Sequence, residues 1–160
     1  MNEGQFILLA EDDPNDVLLL ERAFRKAGLG ECLRVVCDGE QAVDYLAGRG
    51  TYADRERFPL PFMLLLDLKM PGIDGFGVLQ WLRAQPALKQ LLVVVLTSSN
   101  LQADVDRAYG LGANSYLIKP IEFEEMVGLI LRFEAYWKEI NRLSAEAESM
   151  RPVPMFTSLV

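Results

Sequence analysis

Apolar residues along this chain fall into short dense blocks, separated by stretches in which they recur every three or four positions. The blocks are Phe6–Ala10, Leu33–Cys37, Phe62–Leu66, Leu92–Leu96 and Ser115–Ile118. Each has four or five residues, the length of a strand buried on both faces. Between the blocks, Val17, Leu20, Phe24 and Ala27 line one helical face, as do Val78, Leu79 and Leu82, and later Phe123, Val127, Ile130 and Trp137. Boundary residues agree with this division. Asp13 followed by Pro14 is a capped helix entry. Gly28 closes the first helix, and Gly110 and Gly112 close the fourth.

Five strands alternating with five helices predict a parallel sheet covered on both faces and joined by right-handed crossovers. The expected fold is therefore α/β: a doubly wound five-stranded parallel sheet, flavodoxin-like, with strand order 2-1-3-4-5.

Two stretches depart from the minimal pattern. The connection over residues 48–61 (GRGTYADRERFPLP) is polar and longer than the usual link between a helix and a strand. The last helix, from Glu122 to about Ser144, would span about 34 Å, whereas a strand of six residues covers about 20 Å. Its final turns, with Trp137, Ile140 and Leu143, would overhang the sheet. A second protomer packing on that overhang and on Met155, Phe156, Leu159 and Val160 predicts a two-fold homodimer built on helix four, strand five and helix five. The organisation expected is one domain over residues 1–143 with an extended fifth helix, and a tail over 144–160 that holds no output domain.

Composition narrows the function. With 51% hydrophobic and 24% charged residues the chain can bury a full core. A formal charge of -7 argues against non-specific binding to a nucleic-acid backbone. No apolar run approaches the roughly 20 residues of a membrane span, and the start, Met1-Asn2-Glu3-Gly4-Gln5, has no secretion signal. A cytoplasmic protein is expected. Cys32 and Cys37, five apart in a presumed strand, would lie on opposite faces as free, buried thiols. The absence of histidine is the most restrictive number. It removes Ser-His-Asp triads, imidazole bases and histidine metal ligands.

In an open parallel sheet, functional groups gather at the carboxyl ends of the strands. Here those ends deliver Glu11 and Asp12, Asp67, Thr97 with Ser98, and Lys119 with Pro120. Taken singly, each has an ordinary use, as a cap or a solvated turn. Four segments placing compatible groups on one rim are harder to explain that way. Clustered carboxylates repel unless a cation intervenes, and an all-oxygen ligand set suits Mg²⁺. A cation beside a carboxylate and a lysine suits phosphoryl transfer. Asp67 would attack phosphorus, Lys119 and Mg²⁺ would neutralise the equatorial oxygens, and Thr97 would donate a hydrogen bond to one of them.

The segments Leu8-Leu9-Ala10-Glu11-Asp12-Asp13, Leu65-Leu66-Asp67-Leu68-Lys69-Met70-Pro71-Gly72-Ile73-Asp74-Gly75, Val95-Leu96-Thr97-Ser98 and Tyr116-Leu117-Ile118-Lys119-Pro120 resemble the receiver family of two-component response regulators. The resemblance covers roughly residues 5–135. It implies that Asp67 accepts the phosphoryl group from a sensor histidine kinase. Asp12 would ligate the metal directly and Glu11 through water, and the Lys69 backbone carbonyl would be a further ligand. Thr97 and Tyr116 would form a switch pair, Lys119 would bind phosphate, and the Lys119–Pro120 bond would be cis. The resemblance also implies a signalling protein rather than an enzyme, one that takes part in Mg²⁺-dependent phosphotransfer and self-dephosphorylation. The helix start Pro14-Asn15-Asp16, the 48–61 loop and Tyr136-Trp137 look like the stand-alone phytochrome-associated subgroup, which implies a bacterial phytochrome as kinase.

Two rival readings lack their marks. A haloacid-dehalogenase-like phosphatase would carry a second aspartate two residues after the nucleophile, where this chain has Lys69. A nucleotide-binding module would need a glycine-rich turn after the first strand, where this chain has Glu11-Asp12-Asp13-Pro14-Asn15.

Overall fold

Successive side chains of β1 (Ile7–Ala10) enter two different apolar layers: Leu8 and Ala10 join one, Ile7 and Leu9 the other. The computed structural model describes residues 5–135. β3 (Met63–Leu66) and β4 (Leu92–Thr97) alternate in the same way, with Leu64, Leu66, Val93 and Val95 on the first side and Met63, Leu65, Val94 and Leu96 on the second. Burial on both faces explains why these strands read as continuous apolar blocks. β2 (Leu33–Val36) and β5 (Ser115–Ile118) complete a parallel sheet in the order β2-β1-β3-β4-β5, as expected. Register is in step across the centre, with Ala10 opposite Leu66 and Leu66 opposite Val95. The chain therefore leaves β1, β3 and β4 at one rim.

Among the described residues five helices cover the faces. α1 (Pro14–Lys26) and α5 (Phe123–Ala135) pack together over the second layer, and α2 (Gly39–Ala47), α3 (Gly75–Ala84) and α4 (Gln102–Gly110) cover the first. Asp13 caps α1 by accepting the Asn15 N–H at 2.8 Å, with Pro14 in the first turn. Gly28, at φ 78°, follows the end of α1 in the left-handed region that glycine tolerates. No helix among the described residues is long and apolar enough to cross a membrane.

Three expectations need correction. β2 and β5 are edge strands and only partly buried, because each lacks a neighbour on one side. Cys32 ends a single 3-10 turn and Cys37 follows β2, so neither lies in the strand. Both are free thiols, but Cys37 is exposed and Cys32 half-buried, not sealed in the core. The Lys119–Pro120 bond is trans, the isomer that X-Pro bonds intrinsically favour. The 48–61 connection, read from the sequence only as long and polar, is held by specific contacts, which add to that reading. Its Arg55 guanidinium donates to the carbonyls of Tyr45, Leu46 and Phe58, and its Tyr52 and Phe58 rings pack on Tyr45. The overhang beyond Ala135, with Trp137, and the 144–160 tail lie outside the described residues.

Candidate functional site

β1 ends at Ala10, and the next two residues turn their carboxylates across the rim towards Asp67, which follows β3. Carboxylate oxygens of Glu11, Asp12 and Asp67 all lie within 4.8 Å of one another. Glu11 and Asp67 are buried, whereas Asp12 reaches solvent. Asp67 sits under α3 because Gly75 lets that helix start against it. A Cβ on Gly75 would come within 2.3 Å of the Asp67 carbonyl oxygen, so only glycine fits. Asp74 caps α3 by accepting the Gly77 N–H at 2.8 Å.

The two oxygens of Asp67 differ. Oδ1 accepts the Leu68 N–H at 2.8 Å, while Oδ2 faces the Lys119 ammonium at 3.5 Å. Lys119 is held more tightly elsewhere, by Glu11 Oε2 at 2.6 Å and Asp16 Oδ2 at 2.7 Å. Its backbone N–H donates to the Thr97 carbonyl at 2.8 Å, tying the end of β5 to β4. Burial by itself would lower the Lys119 pKa, but the hydrogen bonds to Asp16 and Glu11 more than reverse it, and the ammonium stays charged. Burial pushes the Glu11 carboxyl up, against the pull of Lys119 and of the Asp13 N–H on its Oε1 at 3.0 Å.

The other expected residues line the same rim. Thr97 is fully buried at the end of β4, and its Oγ1 accepts the Ser99 N–H at 3.4 Å. Tyr116 is turned inwards, its hydroxyl donating to the Ser99 carbonyl at 3.0 Å. Burial raises its pKa, with the Ser99 side chain pulling the other way. The Lys69 side chain, two residues past Asp67, is exposed. The serines after Thr97 do not cap α4, whose N-cap is Leu101 without a side-chain bond. Ser99 instead donates its hydroxyl to Asp104 at 2.5 Å, pinning the loop to the first turn of α4.

Two participants escape a reading of the sequence. Asp104 carries no motif. Asp16 looks like an ordinary acid in the first turn of a helix, and only the fold brings it to a lysine 103 residues away.

Three carboxylates and an ammonium at the strand ends of a parallel α/β sheet form an acidic, all-oxygen site suited to a divalent cation and a phosphoryl group. Residues 7–131 match the response regulator receiver domain, and the chain belongs to that family. It is 34% identical over 144 residues to the response regulator Rcp1 of Synechocystis, a match covering 90% of this chain and 96% of Rcp1. A response regulator in red light signalling of R. palustris, RPA3017, superposes with a TM-score of 0.82 at 37% identity, covering 88% of this chain and 99% of that one. The phosphorylated cyanobacterial phytochrome response regulator RcpA gives 0.78 at 30% identity, again covering 88% and 99%. This chain is accordingly a response regulator receiver whose relatives include phytochrome-associated regulators. The structure of Rcp1 similar to it, with a TM-score of 0.75 at 34% identity and coverage of 88% and 99%, is a Mn²⁺-bound form, in keeping with divalent cation binding at an acidic cluster.

Proposed function

We propose that Asp67 accepts a phosphoryl group from the phosphohistidine of a sensor kinase, and that Thr97 and Tyr116 pass the event to the β5 side of the molecule. The observation that carries this reading is Asp67 Oδ2 facing the Lys119 ammonium at 3.5 Å, while Oδ1 is held by the Leu68 N–H. That oxygen attacks phosphorus as the P–N bond breaks, and the imidazole of the donor leaves with the bonding pair and retains a proton. The donor is external because this chain has no histidine. Lys119 offsets charge on the transferred oxygens, and the Thr97 hydroxyl hydrogen-bonds to one of them.

Mg²⁺ fits the donor set. Asp12 and Asp67 offer carboxylate oxygens directly. Glu11, whose two oxygens are already engaged by Asp13 and Lys119, would contribute through water, and the Lys69 carbonyl would add a backbone oxygen. The ion supplies charge neutralisation for transfer and for later hydrolysis. The phytochrome-associated relatives support a bacterial phytochrome as the kinase. Exposed Leu101, Tyr109, Ile118, Ile121 and Leu131 on the α4, β5 and α5 face support a homodimer there. A cytoplasmic location goes with such a partner.

Incubation with acetyl phosphate and Mg²⁺ should add one phosphoryl group to the wild type, seen by intact-mass spectrometry, and none to Asp67→Asn. A base-labile label persisting at full yield in that variant would overturn the assignment.

A further inference from the structure

The Lys119 ammonium has three N–H donors and three carboxylates around it, at unequal distances: Glu11 at 2.6 Å, Asp16 at 2.7 Å and Asp67 at 3.5 Å. The four receiver segments do not include Asp16, and the helix start Pro14-Asn15-Asp16 gives it no role at the site. An acid at this position of a helix ordinarily reaches back to the N–H of the cap residue. Here that N–H, on Asp13, already donates to Glu11 Oε1. Asp16 is thus released from capping and turns to Lys119.

We propose that Asp16 is a positioning residue that draws the Lys119 ammonium off the acceptor, so that an arriving phosphoryl group must compete with it for that charge. This rests on the reading of Asp67 as the acceptor. The two tight partners of Lys119 are not equivalent. Glu11 is buried at 1% exposure, with its second oxygen tied down, and cannot turn away without leaving an unpaired charge inside the protein. Asp16, at 37% exposure, can exchange its lysine contact for water at small cost. Asp16 is therefore the partner that yields when phosphoryl oxygens take up Lys119. It also adds a negative charge near an incoming dianion. Both effects oppose phosphoryl binding. Asp16 is not one of the three carboxylates that converge for a cation, so its influence separates from metal binding.

The test is titration calorimetry of the full chain with beryllofluoride, the phosphoryl mimic, in saturating Mg²⁺, alongside Mg²⁺ alone. Asp16→Asn should bind beryllofluoride roughly three- to fivefold more tightly, the size of a partly exposed ion pair. Its affinity for Mg²⁺ alone should stay within about twofold, because no ligand is lost. Asp16→Glu, which restores a carboxylate on the same turn, should return beryllofluoride affinity towards wild type; a purely structural role for the side chain would not give this split. Unchanged or weaker beryllofluoride binding in Asp16→Asn, or equal tightening in Asp16→Glu, overturns the proposal. A wild-type protein that takes up no beryllofluoride at all instead removes the acceptor reading on which the proposal stands.

Discussion

At the β2 edge of the sheet, Arg34 donates to the Tyr45 hydroxyl at 3.0 Å and to the Arg57 carbonyl at 3.3 Å, and its guanidinium lies 4.2 Å from the centre of the Phe6 ring. The 48–61 connection folds over this side, packing Phe58 edge-on and Tyr52 at a tilt against a buried Tyr45. The β5 edge is finished with far less. The Tyr116 N–H donates to the Tyr109 hydroxyl at 3.1 Å, while Ile118 and Ile121 stay exposed, at 53% and 92%. One edge is sealed by packed rings. The other is held by a few hydrogen bonds, two of which run through tyrosine hydroxyls. Segments with few buried contacts are the ones that move at little cost. The difference therefore separates a static flank from one that can respond to the phosphorylation proposed at Asp67.

The heaviest blow to this contrast falls on the sealed side. Tyr45→Ala removes the ring on which Tyr52 and Phe58 pack, and also the acceptor for Arg34. Chemical denaturation should show a loss of about 3 kcal/mol, with uptake of phosphoryl from acetyl phosphate unchanged. Altered uptake would mean that the two flanks are coupled. On the open side, Ile121→Asp places a charge on the most exposed of these apolar residues. Sedimentation should show dimerisation weakened at least about tenfold, or about 1.4 kcal/mol, without loss of stability. An unchanged association constant would move the interface elsewhere.

The smallest effect concerns the tyrosine at the edge itself. Tyr116→Phe loses the bond to the Ser99 carbonyl and should cost about 1 kcal/mol at neutral pH. Burial raises the Tyr116 pKa above its usual 10.0, so the folded protein holds the phenolic proton more tightly than the unfolded chain. That stabilisation is complete below pH 10 and fades as pH climbs through the folded value. The gap between wild type and variant should accordingly be flat from neutral to about pH 10 and shrink above it. A gap that widens above pH 10 would contradict the inward, hydrogen-bonded placement of Tyr116.

Local periodicity decided much of this molecule before any contact formed. Apolar blocks such as Leu64–Leu66 and Val93–Val95 have the length and composition of strands buried on both faces, and here they are. Alternation with amphipathic helices then dictates parallel pairing and a common rim for Glu11, Asp12, Asp67, Thr97 and Lys119. Where local signals mislead, a competing contact is responsible. Residues 48–61 read only as a long polar link, yet Arg55 donates to three carbonyls, and aromatic rings do the packing. The edge strands read like central ones because their apolar residues are present but lack a neighbour on one side.

The partners of each charge were settled only in three dimensions. Lys119 meets Glu11 across 108 residues and Asp16 across 103, separations over which sequence carries no periodic signal. The choice among Glu11, Asp16 and Asp67 depends on differences of less than 1 Å and on which carboxylate is already bonded. The inward turn of Tyr116 likewise depends on the Ser99 carbonyl offered by a loop that Asp104 pins to α4. A sequence specifies which groups reach the rim, because strand and helix periods are local. Which of those groups share a proton or a charge is decided by packing, because electrostatic and hydrogen-bond energies change steeply over a single ångström.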